Sequence, residues 1–432
     1  MAEQIQPVRG MNDILPAEVG VWRHLERCVR ELVSAYGYAE MRVPLVEHTA
    51  LFKRAIGEFT DVVGKEMYSF ESQGAESLTL RPEATAGMVR AVISNRMLRG
   101  QRHKLWCIGP MFRHETPQAG RYRQFHQLDV EAIGYAGPDV DAELIAMSAR
   151  LWRTLGISRV RLQINSLGTA QSRRGYRELL VAYLRAHERE LDADSQRRLE
   201  GNPLRILDSK SPQMQPILAA APSLAEHLDP ESRAHFAALG AMLRDIGVPY
   251  EINPRLVRGL DYYSGTVFEW VTESAGAQNA VCSGGRYDGL IAQLGGEATP
   301  AIGFAMGMER VVALLQQLHA TPPSPHPDVY VVLNGERASI AGPALVERLR
   351  DALPARRFEI NLGGGNFKAQ FRRADRSAAS LALILADDEL ARGVAAMKPL
   401  REESGQSECP IAQLAPGIEA ALTALGNTCR GG

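Results

Sequence analysis

The sequence is poor in cysteine, and its cysteines are scattered. Of 432 residues only five are cysteine, and they stand at positions 28, 107, 282, 409 and 429. They form no CxxC pair and have no histidine partners at zinc spacing, so we assign no metal-ligating residue. The odd count and wide scatter indicate reduced thiols in a cytosol rather than a disulfide framework.

An excess of charge and long apolar runs are also missing. The 49 Lys+Arg and 50 Asp+Glu give a net charge of −1, whereas a non-specific nucleic-acid binder is usually basic. Any nucleic-acid contact must therefore use local patches. The start, MAEQIQPVRGMND, has no apolar signal region, and no apolar run is long enough to span a bilayer. We expect a cytoplasmic protein without membrane contact.

What is present is an ordinary globular composition in several segments. The hydrophobic fraction is 45% and the charged fraction 23%, and the length allows two or three domains. The proline-rich ATPPSPHP predicts a linker over 321–327. Strands alternating with helices beyond it predict a small α/β domain with a mainly parallel sheet over 328–432.

Before the linker, residues 170–228 are rich in charge and helix formers and show no strand pattern. They predict a helical insertion between 1–169 and 229–320, although a few solvated helices on one main domain would explain the composition nearly as well.

The run GPMFRHETPQAGRYRQFHQLDVE, residues 109–131, predicts two strands joined by a loop at Pro117 and Gly120. Alternate side chains of a strand share a face, which puts Arg113 beside Glu115. On the second strand the same rule aligns Arg121, Arg123, Phe125, Gln127, Asp129 and Glu131. The face is either simply solvated or a ligand surface with arginines for phosphate, a ring for a base and carboxylates for a cation. This stretch alone supports both interpretations equally.

Two further junctions carry polar residues. In LTLRPEATAGMVRAV a strand end meets a helix, and Arg81, Glu83 and Thr85 cluster there. Such turns often build sites, but helix capping explains Glu83 on its own. In GFAMGMER, Arg310 lies in the first helical turn, where a cation is disfavoured unless it shares an anion with the helix amides. A structural salt bridge is the alternative.

The run RLVRGLDYY carries Arg258, Tyr262 and Tyr263 within strand-like sequence, and tyrosines can pack while still hydrogen-bonding a ligand. In SGGRYDGL, which follows it, Gly284 and Gly285 predict a bulge or a close backbone approach.

Taken in order, these stretches resemble the class II aminoacyl-tRNA synthetases. Motif 1 corresponds to the region ending at Pro44, motif 2 to FRHE through QFHQLDVE, and motif 3 to GFAMGMER. RLVRGLDYY and GGRYDGL resemble signatures of the histidyl-tRNA synthetase family, and the resemblance covers nearly the whole chain. It implies an α+β fold: the antiparallel-sheet catalytic domain of class II synthetases with a helical insertion, and a C-terminal α/β anticodon-binding domain. It also implies ATP as substrate, Mg²⁺ and a homodimer.

The resemblance implies two groups of site residues. The ATP-binding residues would be Arg113 and Arg310 on the phosphates, Arg121 near the outer phosphates, Phe125 on adenine and Glu115 near it. The histidine-binding residues would be Glu83, Thr85 and Gln127 on the amino group, Glu131 and Tyr263 on the imidazole, Tyr262 shaping the pocket, and Arg113 nearby. Arg258 would bridge the histidine carboxylate and the α-phosphate, so that Arg258 and Arg113 are the expected catalytic residues.

The implied activity is that of a histidine–tRNA ligase, which activates L-histidine with ATP and transfers it to the 3′ end of tRNA(His). The alternative is a non-catalytic paralogue that regulates a histidine-pathway enzyme. In the last domain, Lys368, Arg372, Arg373 and Arg376 are interleaved with Phe367 and Phe371. This pattern suits RNA, but an amphipathic helix with a solvated polar face would also produce it.

Overall fold

The structure is a computed structural model that describes residues 4–58, 60–118, 120–272, 280–318, 326–402 and 405–428. The chain divides between residues 322 and 323 into two units, which are taken separately below. Most of the predicted linker, residues 321–325, lies outside the described residues.

The first unit alternates helices and strands from its start. In chain order its elements are α1 (Val19–Ala35), β1 (Ala39–Glu40), β2 (Val46–His48), α2 (Thr49–Ile56), β3 (Tyr68–Glu71), β4 (Ser77–Leu80), α3 (Thr85–Ser94), β5 (His103–Phe112), β6 (Gln124–Ile133), α4 (Pro138–Thr154), β7 (Arg161–Ser166), α5 (Ala170–Ala186), α6 (Ala193–Gly201), α7 (Gln215–Ala219), α8 (Pro230–Ile246), β8 (Glu251–Ile252), β9 (Ser264–Val271), β10 (Ala280–Arg286), α9 (Leu290–Gln293), β11 (Ala301–Gly307) and α10 (Met308–Gln317).

Eight of these strands form the main sheet, in the order β1-β5-β6-β11-β10-β9-β7-β8. The six central strands are antiparallel to one another, and the two-residue edge strands β1 and β8 pair in parallel with β5 and β7. The run around Pro44 forms no continuous strand: β1 ends before it, and β2 follows it in a separate three-stranded sheet, β2-β4-β3. A proline cannot donate to a strand ladder, which explains the break.

Alternate residues of the main-sheet strands point to opposite faces, and a hydrophobic core lies on each face. On one face α1, α4, α8 and α10 cover Leu128 and Val130 of β6, and all four tryptophans of the chain (Trp22, Trp106, Trp152 and Trp270) are buried there. On the other face α2 and α3 pack over Leu105 and Cys107 of β5. The polar residues of β6 point to this second face.

The region 170–228 contains α5, α6, α7 and short 3₁₀ turns without a strand, and it lies in the same unit as the main sheet. Its buried residues Tyr176, Leu184, Leu199 and Ile206 belong to the same core as α2 and α3. The insertion therefore packs on the sheet face that carries the polar residues of β6.

The second unit holds β12 (Val329–Asn334), α11 (Glu336–Ala352), β13 (Phe358–Ile360), α12 (Phe367–Arg376), β14 (Leu381–Ala386), α13 (Asp387–Ala391), β15 (Val394–Pro399), β16 (Ser407–Pro410) and α14 (Leu414–Thr428). Its sheet has the order β13-β12-β14-β15-β16. The pairs β13–β12 and β12–β14 are parallel, whereas β14–β15 and β15–β16 are antiparallel. The prediction of a mainly parallel sheet thus fails for half of the pairs.

The cause is the segment LARGVAAM, which helix propensity predicts to be helical. Helix α13 ends at Ala391, Gly393 turns the chain at φ 73°, and Val394 begins a strand. Ala395, Ala396 and Met397 are buried. Burial between two strands overrides the propensity of alanine for helix.

The predicted fold class is confirmed: an antiparallel-rich sheet with helices carries the first unit, and an α/β unit follows it. Among the described helices none combines the length and the apolar character needed to cross a bilayer.

Candidate active site

A cavity of about 310 Å³ opens on the second face of the main sheet, above β6, β11 and β10. Every residue that the sequence analysis assigned to a ligand lines it. They are Glu83, Thr85, Arg113, Glu115, Arg121, Phe125, Gln127, Glu131, Arg258, Tyr262, Tyr263 and Arg310. Arg123, which was expected on the same face, is absent from this lining. Strand β6 begins only at Gln124, so the alternation does not extend back to Arg123.

The floor of the cavity is set by the register of two strands. Gln127, Asp129 and Glu131 of β6 stand opposite Gly307, Ala305 and Gly303 of β11. These small residues leave space above the β6 side chains. At Gly303 glycine is required, because a Cβ there would lie 1.6 Å from Glu131 Oε2.

Glu131 is held from both sides within the buried end. Its Oε1 accepts a hydrogen bond from the Thr85 hydroxyl at 2.6 Å, and its Oε2 accepts one from the Tyr287 hydroxyl at 2.5 Å. Burial raises the pKa of Glu131 to about 8, although both hydrogen bonds act in the opposite direction. Each carboxylate oxygen has two lone pairs, so Glu131 can still accept a bond from a ligand.

Glu83 has a structural role and also faces the cavity. Its Oε1 accepts from the amide of Ala86 at 2.8 Å, which confirms the capping interpretation. The Tyr262 hydroxyl donates to its Oε2 at 3.4 Å. Burial raises the pKa of this carboxyl too.

Asp129 is the residue of this group whose role the sequence analysis left open. It is fully buried between Gln127 and Glu131. Among the described residues neither of its carboxylate oxygens has a hydrogen-bond partner, and the same holds for Gln127 Oε1. Burial first, and then the negative charges of Glu131 and Glu83, raise the pKa of Asp129 well above its usual range. We call Glu83, Asp129 and Glu131 the acidic end of the cavity.

The tyrosines complete this end. The Tyr262 and Tyr263 rings have centroids 4.7 Å apart, and Tyr262 also meets Tyr287 edge to face at 5.7 Å. Burial raises the pKa of Tyr263 to about 12, so its hydroxyl keeps its proton. Tyr287 was not assigned from the sequence. It lies in GGRYDGL, two residues after Gly285, and that signature was the available signal.

The opposite side of the cavity is lined by Arg113, Arg121 and Arg310, which we call the arginine end. Arg113 donates through Nε to the Pro82 carbonyl at 2.8 Å, and its Cζ lies 5.3 Å from the centroid of the Phe125 ring. Arg121 pairs with Glu115 at 2.9 Å. These contacts fix the arginines while leaving further N–H groups for a ligand.

Arg310 is the third residue of α10, as predicted. Its Nε donates to the carbonyl of Gly120 at 3.0 Å. Burial, followed by the charge of Arg121, lowers its pKa. A cation near a helix N-terminus and beside other arginines is costly without an anion, so the position suits a phosphate.

Arg258 lies between the two ends. Its Nη1 donates to Glu269 Oε1 at 2.6 Å, and its Nη2 bonds to the Ser283 hydroxyl. Burial opposes its charge, but Glu269, Tyr263 and Asp208 together outweigh burial and raise the pKa of Arg258. Gly284 and Gly285 of the adjoining strand allow the neighbouring strands to approach closely: a Cβ at Gly285 would lie 2.6 Å from the Thr266 carbonyl, and the strand register shifts there. The predicted bulge and close approach are confirmed.

The cavity therefore joins an acidic, buried end to an arginine-rich, partly exposed end. The first can hold a group with N–H donors, and the second can hold phosphates. Arg258 is placed to contact a carboxylate and a phosphate together.

Comparison with known proteins adds three findings. A model of the family described as "Histidyl-tRNA synthetase" matches residues 10–311. The apo histidyl-tRNA synthetase of S. aureus is similar over 96% of this chain and 100% of its own, with 34% identity and a TM-score of 0.81.

More distant structures share the fold. One is a histidyl-tRNA synthetase from Nostoc sp. PCC 7120, with 20% identity and a TM-score of 0.66 over 97% of this chain and 100% of its own. Another, from Bacillus halodurans, is described as an ATP phosphoribosyltransferase regulatory subunit/histidyl-tRNA synthetase. It is 21% identical, with a TM-score of 0.62 over 86% of this chain and 97% of its own.

Proposed function

Since the chain belongs to the histidyl-tRNA synthetase family, we propose that it is an active histidine–tRNA ligase. It forms histidyl-adenylate from L-histidine and ATP, and then transfers histidine to the 3′ end of tRNA(His). The supporting observation is the single cavity in which a buried acidic end faces an arginine end across Arg258. A regulatory paralogue without catalysis would have no use for the phosphate-binding arginines.

In this proposal the acidic end binds histidine. Glu131 and Tyr263 pair with the two imidazole nitrogens, and Tyr262 shapes the pocket. Glu83, Thr85 and Gln127 hold the amino group. The unpartnered Oε1 of Gln127 supports this assignment, because an ammonium group supplies the missing donor. Thr85 already donates to Glu131, so it also fixes the imidazole ligand.

The arginine end binds ATP. Arg113 and Arg310 hold the phosphates, Arg121 lies near the outer phosphates, and adenine stacks on Phe125 with Glu115 near it. The contacts of these arginines to backbone carbonyls support the assignment, since donors that are already positioned need little reorganisation when phosphate binds.

Activation needs alignment rather than a base. The histidine carboxylate is ionised at neutral pH, and one of its oxygens attacks the α-phosphorus in line with the leaving pyrophosphate. A bond forms between the carboxylate oxygen and phosphorus, and the bond from phosphorus to the bridging oxygen breaks. Arg258 and Arg113 neutralise the charge that accumulates. A ribose hydroxyl of the tRNA then attacks the carbonyl carbon of the adenylate: an ester bond forms, the bond from that carbon to the phosphate oxygen breaks, and AMP leaves with release of the hydroxyl proton.

Magnesium fits the donor set of the arginine end. Mg²⁺ is usually held by one or two carboxylates together with substrate phosphates. The described residues contain no cluster of three or more metal-ligating side chains, but Glu115 and Glu269 both line the cavity beside the arginines. These two carboxylates would hold the ion, which supplies charge neutralisation at the phosphates.

The proposal extends to RNA, to a homodimer and to the cytoplasm. Lys368, Arg372 and Arg376 of α12 are exposed, and the rings of Phe367 and Phe371 are 4.7 Å apart beside them. This combination of charge and rings supports an anticodon-binding role for the second unit.

Free cysteines at positions 28, 107, 282 and 409 support a reducing compartment. Light scattering of the purified protein tests the dimer.

One experiment tests the proposed function directly. Pyrophosphate exchange is measured with each amino acid in turn, and charging is measured with a tRNA(His) transcript. We expect exchange with histidine and with no other amino acid, and charging of the transcript. Exchange with a different amino acid would contradict the substrate assignment, and absence of any exchange would favour the regulatory paralogue.

A further inference from the structure

One charged residue of the cavity comes from the helical insertion. Arg205 lies on a 3₁₀ turn, Pro203–Asp208, whose Ile206 and Leu207 are buried in the core. This anchoring fixes the turn, and the side chain of Arg205 lines the cavity together with Arg258. The insertion thus adds a fifth arginine to those already described.

The guanidinium of Arg205 lies against the chain next to Arg258. A Cβ on Gly259 would be 3.7 Å from Arg205 Nη1 and 3.8 Å from its Cζ. These distances are ordinary van der Waals contacts, so the guanidinium of Arg205 lies close to the backbone beside Arg258. The side chain is only 25% exposed.

Arg205 is poorly neutralised by its surroundings. Its ion-pair partner among the described residues is Asp208, at 3.6 Å, and no described acceptor forms a hydrogen bond with the guanidinium. Burial lowers the pKa of Arg205, and the positive charges of Arg198 and Arg258 add to this effect against Asp208 and Asp61. Arg258, by contrast, has close partners in Glu269 and Ser283.

A local salt bridge with Asp208 is the simpler explanation of Arg205, but it accounts for little of this geometry. A pair three residues apart could form equally well on the outside of the turn, in water. Turning the cation inward beside a second cation costs free energy unless an anion binds there. The two ligand groups assigned to this part of the cavity, the histidine carboxylate and the α-phosphate, each carry one negative charge before the reaction, but it is on the phosphoryl oxygens that charge must be neutralised during the attack.

We propose that Arg205 is a further phosphate-binding residue, which contacts the α-phosphate beside Arg258 and brings the insertion into the activation step. The inference rests on the proposed function, because the phosphate is that of the ATP that the enzyme activates. The guanidinium supplies N–H donors to the phosphate oxygens as charge accumulates on them. The insertion then serves adenylate formation as well as the fold.

The test compares three variants of the full chain in histidine-dependent pyrophosphate exchange. Arg205→Ala removes the hydrogen-bond donor. Arg205→Lys keeps the positive charge but loses the paired N–H donors of the guanidinium. Arg185→Ala is the matched control, because Arg185 lies on α5 of the same insertion and its ion partner is the exposed Glu200. Thermal melting verifies that each variant is folded.

We expect Arg205→Ala to lower kcat for exchange at least about tenfold, with the KM for histidine unchanged within about twofold. Arg205→Lys should recover part of the loss, and Arg185→Ala should match the wild type. Wild-type exchange in folded Arg205→Ala overturns the inference, as does a loss confined to transfer onto tRNA. If Arg205→Ala does not fold, Arg205→Lys alone decides: full wild-type exchange there also overturns it.

The same assay separates this inference from the proposed function. If the wild-type protein shows no histidine-dependent exchange, the proposed function fails and the inference fails with it. If the wild type is active and the Arg205 variants are equally active, only the inference fails.

Discussion

The acidic end and the arginine end of the cavity differ in charge and in how their side chains are held. At the acidic end the side chains are fully buried, and Glu131 accepts hydrogen bonds from other side chains, Thr85 and Tyr287. At the arginine end the guanidinium groups are half-buried and donate mostly to backbone carbonyls, as Arg113 and Arg310 do. The acidic end is a buried site whose shape is already fixed, whereas the arginine end consists of hydrogen-bond donors that the backbone holds in position.

This difference indicates how the cavity divides selection from catalysis. A buried site whose polar groups must be paired rejects a ligand that cannot pair them. Half-exposed arginines accept any suitably placed phosphate, but they stabilise charge as it develops. Changes at the acidic end should therefore alter the amino-acid KM, and changes at the arginine end should alter the rate.

The largest effect should follow Arg258→Ala, which removes the cation between the two ends. We expect histidine-dependent pyrophosphate exchange to fall by a factor of about one hundred or more, because a contact made to developing charge is lost. Thermal melting serves as the control for folding, since Glu269 loses its partner. Near-wild-type exchange by a folded variant would rule out this role.

A smaller effect should follow Glu131→Gln, which keeps the shape and removes the charge. We expect the KM for histidine to rise about tenfold to a hundredfold, as is typical for a lost hydrogen bond to a charged group. Although the pKa of Glu131 is about 8 in the free protein, a bound imidazole N–H favours the ionised carboxylate. The KM for ATP should stay near its wild-type value. If the KM for ATP rises instead, or if the KM for histidine does not change, Glu131 is not the imidazole ligand.

Tyr287→Phe is a milder change at the same carboxylate. It removes the donor to Oε2 and leaves Thr85 on Oε1. We expect a rise of a few fold in the KM for histidine, about the loss of one ordinary hydrogen bond. A larger change than that of Glu131→Gln would mean that Tyr287 itself contacts the substrate.

The buried carboxyl also makes stability depend on pH. The pKa of Glu131 in the fold, about 8, lies above its ordinary value of 4.5. Its contribution to stability is therefore complete below pH 4.5 and is lost as the pH rises through about 8. The melting temperature of the free protein should fall from about pH 5 to about pH 9, and it should fall less in Glu131→Gln. Equal slopes would show that Glu131 does not titrate in this range.

The smallest effect on the cavity should come from removing the residues after Pro327. All residues of both ends lie before residue 322, so we expect exchange to stay within a few fold of the full chain, while charging of tRNA(His) falls sharply. Equal loss of both activities in a folded dimer would place the second unit in the catalytic machinery.

The sequence predicts much of this architecture because its signals are local. Strand β11 and helix α10 follow from small apolar residues and helical spacing, and the break at Pro44 follows from a missing donor. The strand at Val394 could not be predicted, since it depends on burial between β14 and β16 rather than on propensity.

The same distinction holds for the site. Residues carried by recognisable motifs were assigned, and the cavity brings them together. The role of Glu269 depends on its contact with Arg258, 11 residues away in the chain. The role of Arg205 depends on the contact of its guanidinium with the backbone at Gly259. No spacing rule in the sequence connects these positions, so folding alone reveals them.

The placement of the tryptophans has a practical consequence for spectroscopy. All four are buried in one core of the first unit, where Trp152 and Trp270 meet edge to face at 6.2 Å and Trp22 contacts the ring of His126 at 5.1 Å. Intrinsic tryptophan fluorescence of this protein therefore reports on the first unit alone. The second unit contains no tryptophan and only one of the twelve tyrosines, Tyr330, so excitation of tryptophan alone follows the melting of the first unit in the intact chain.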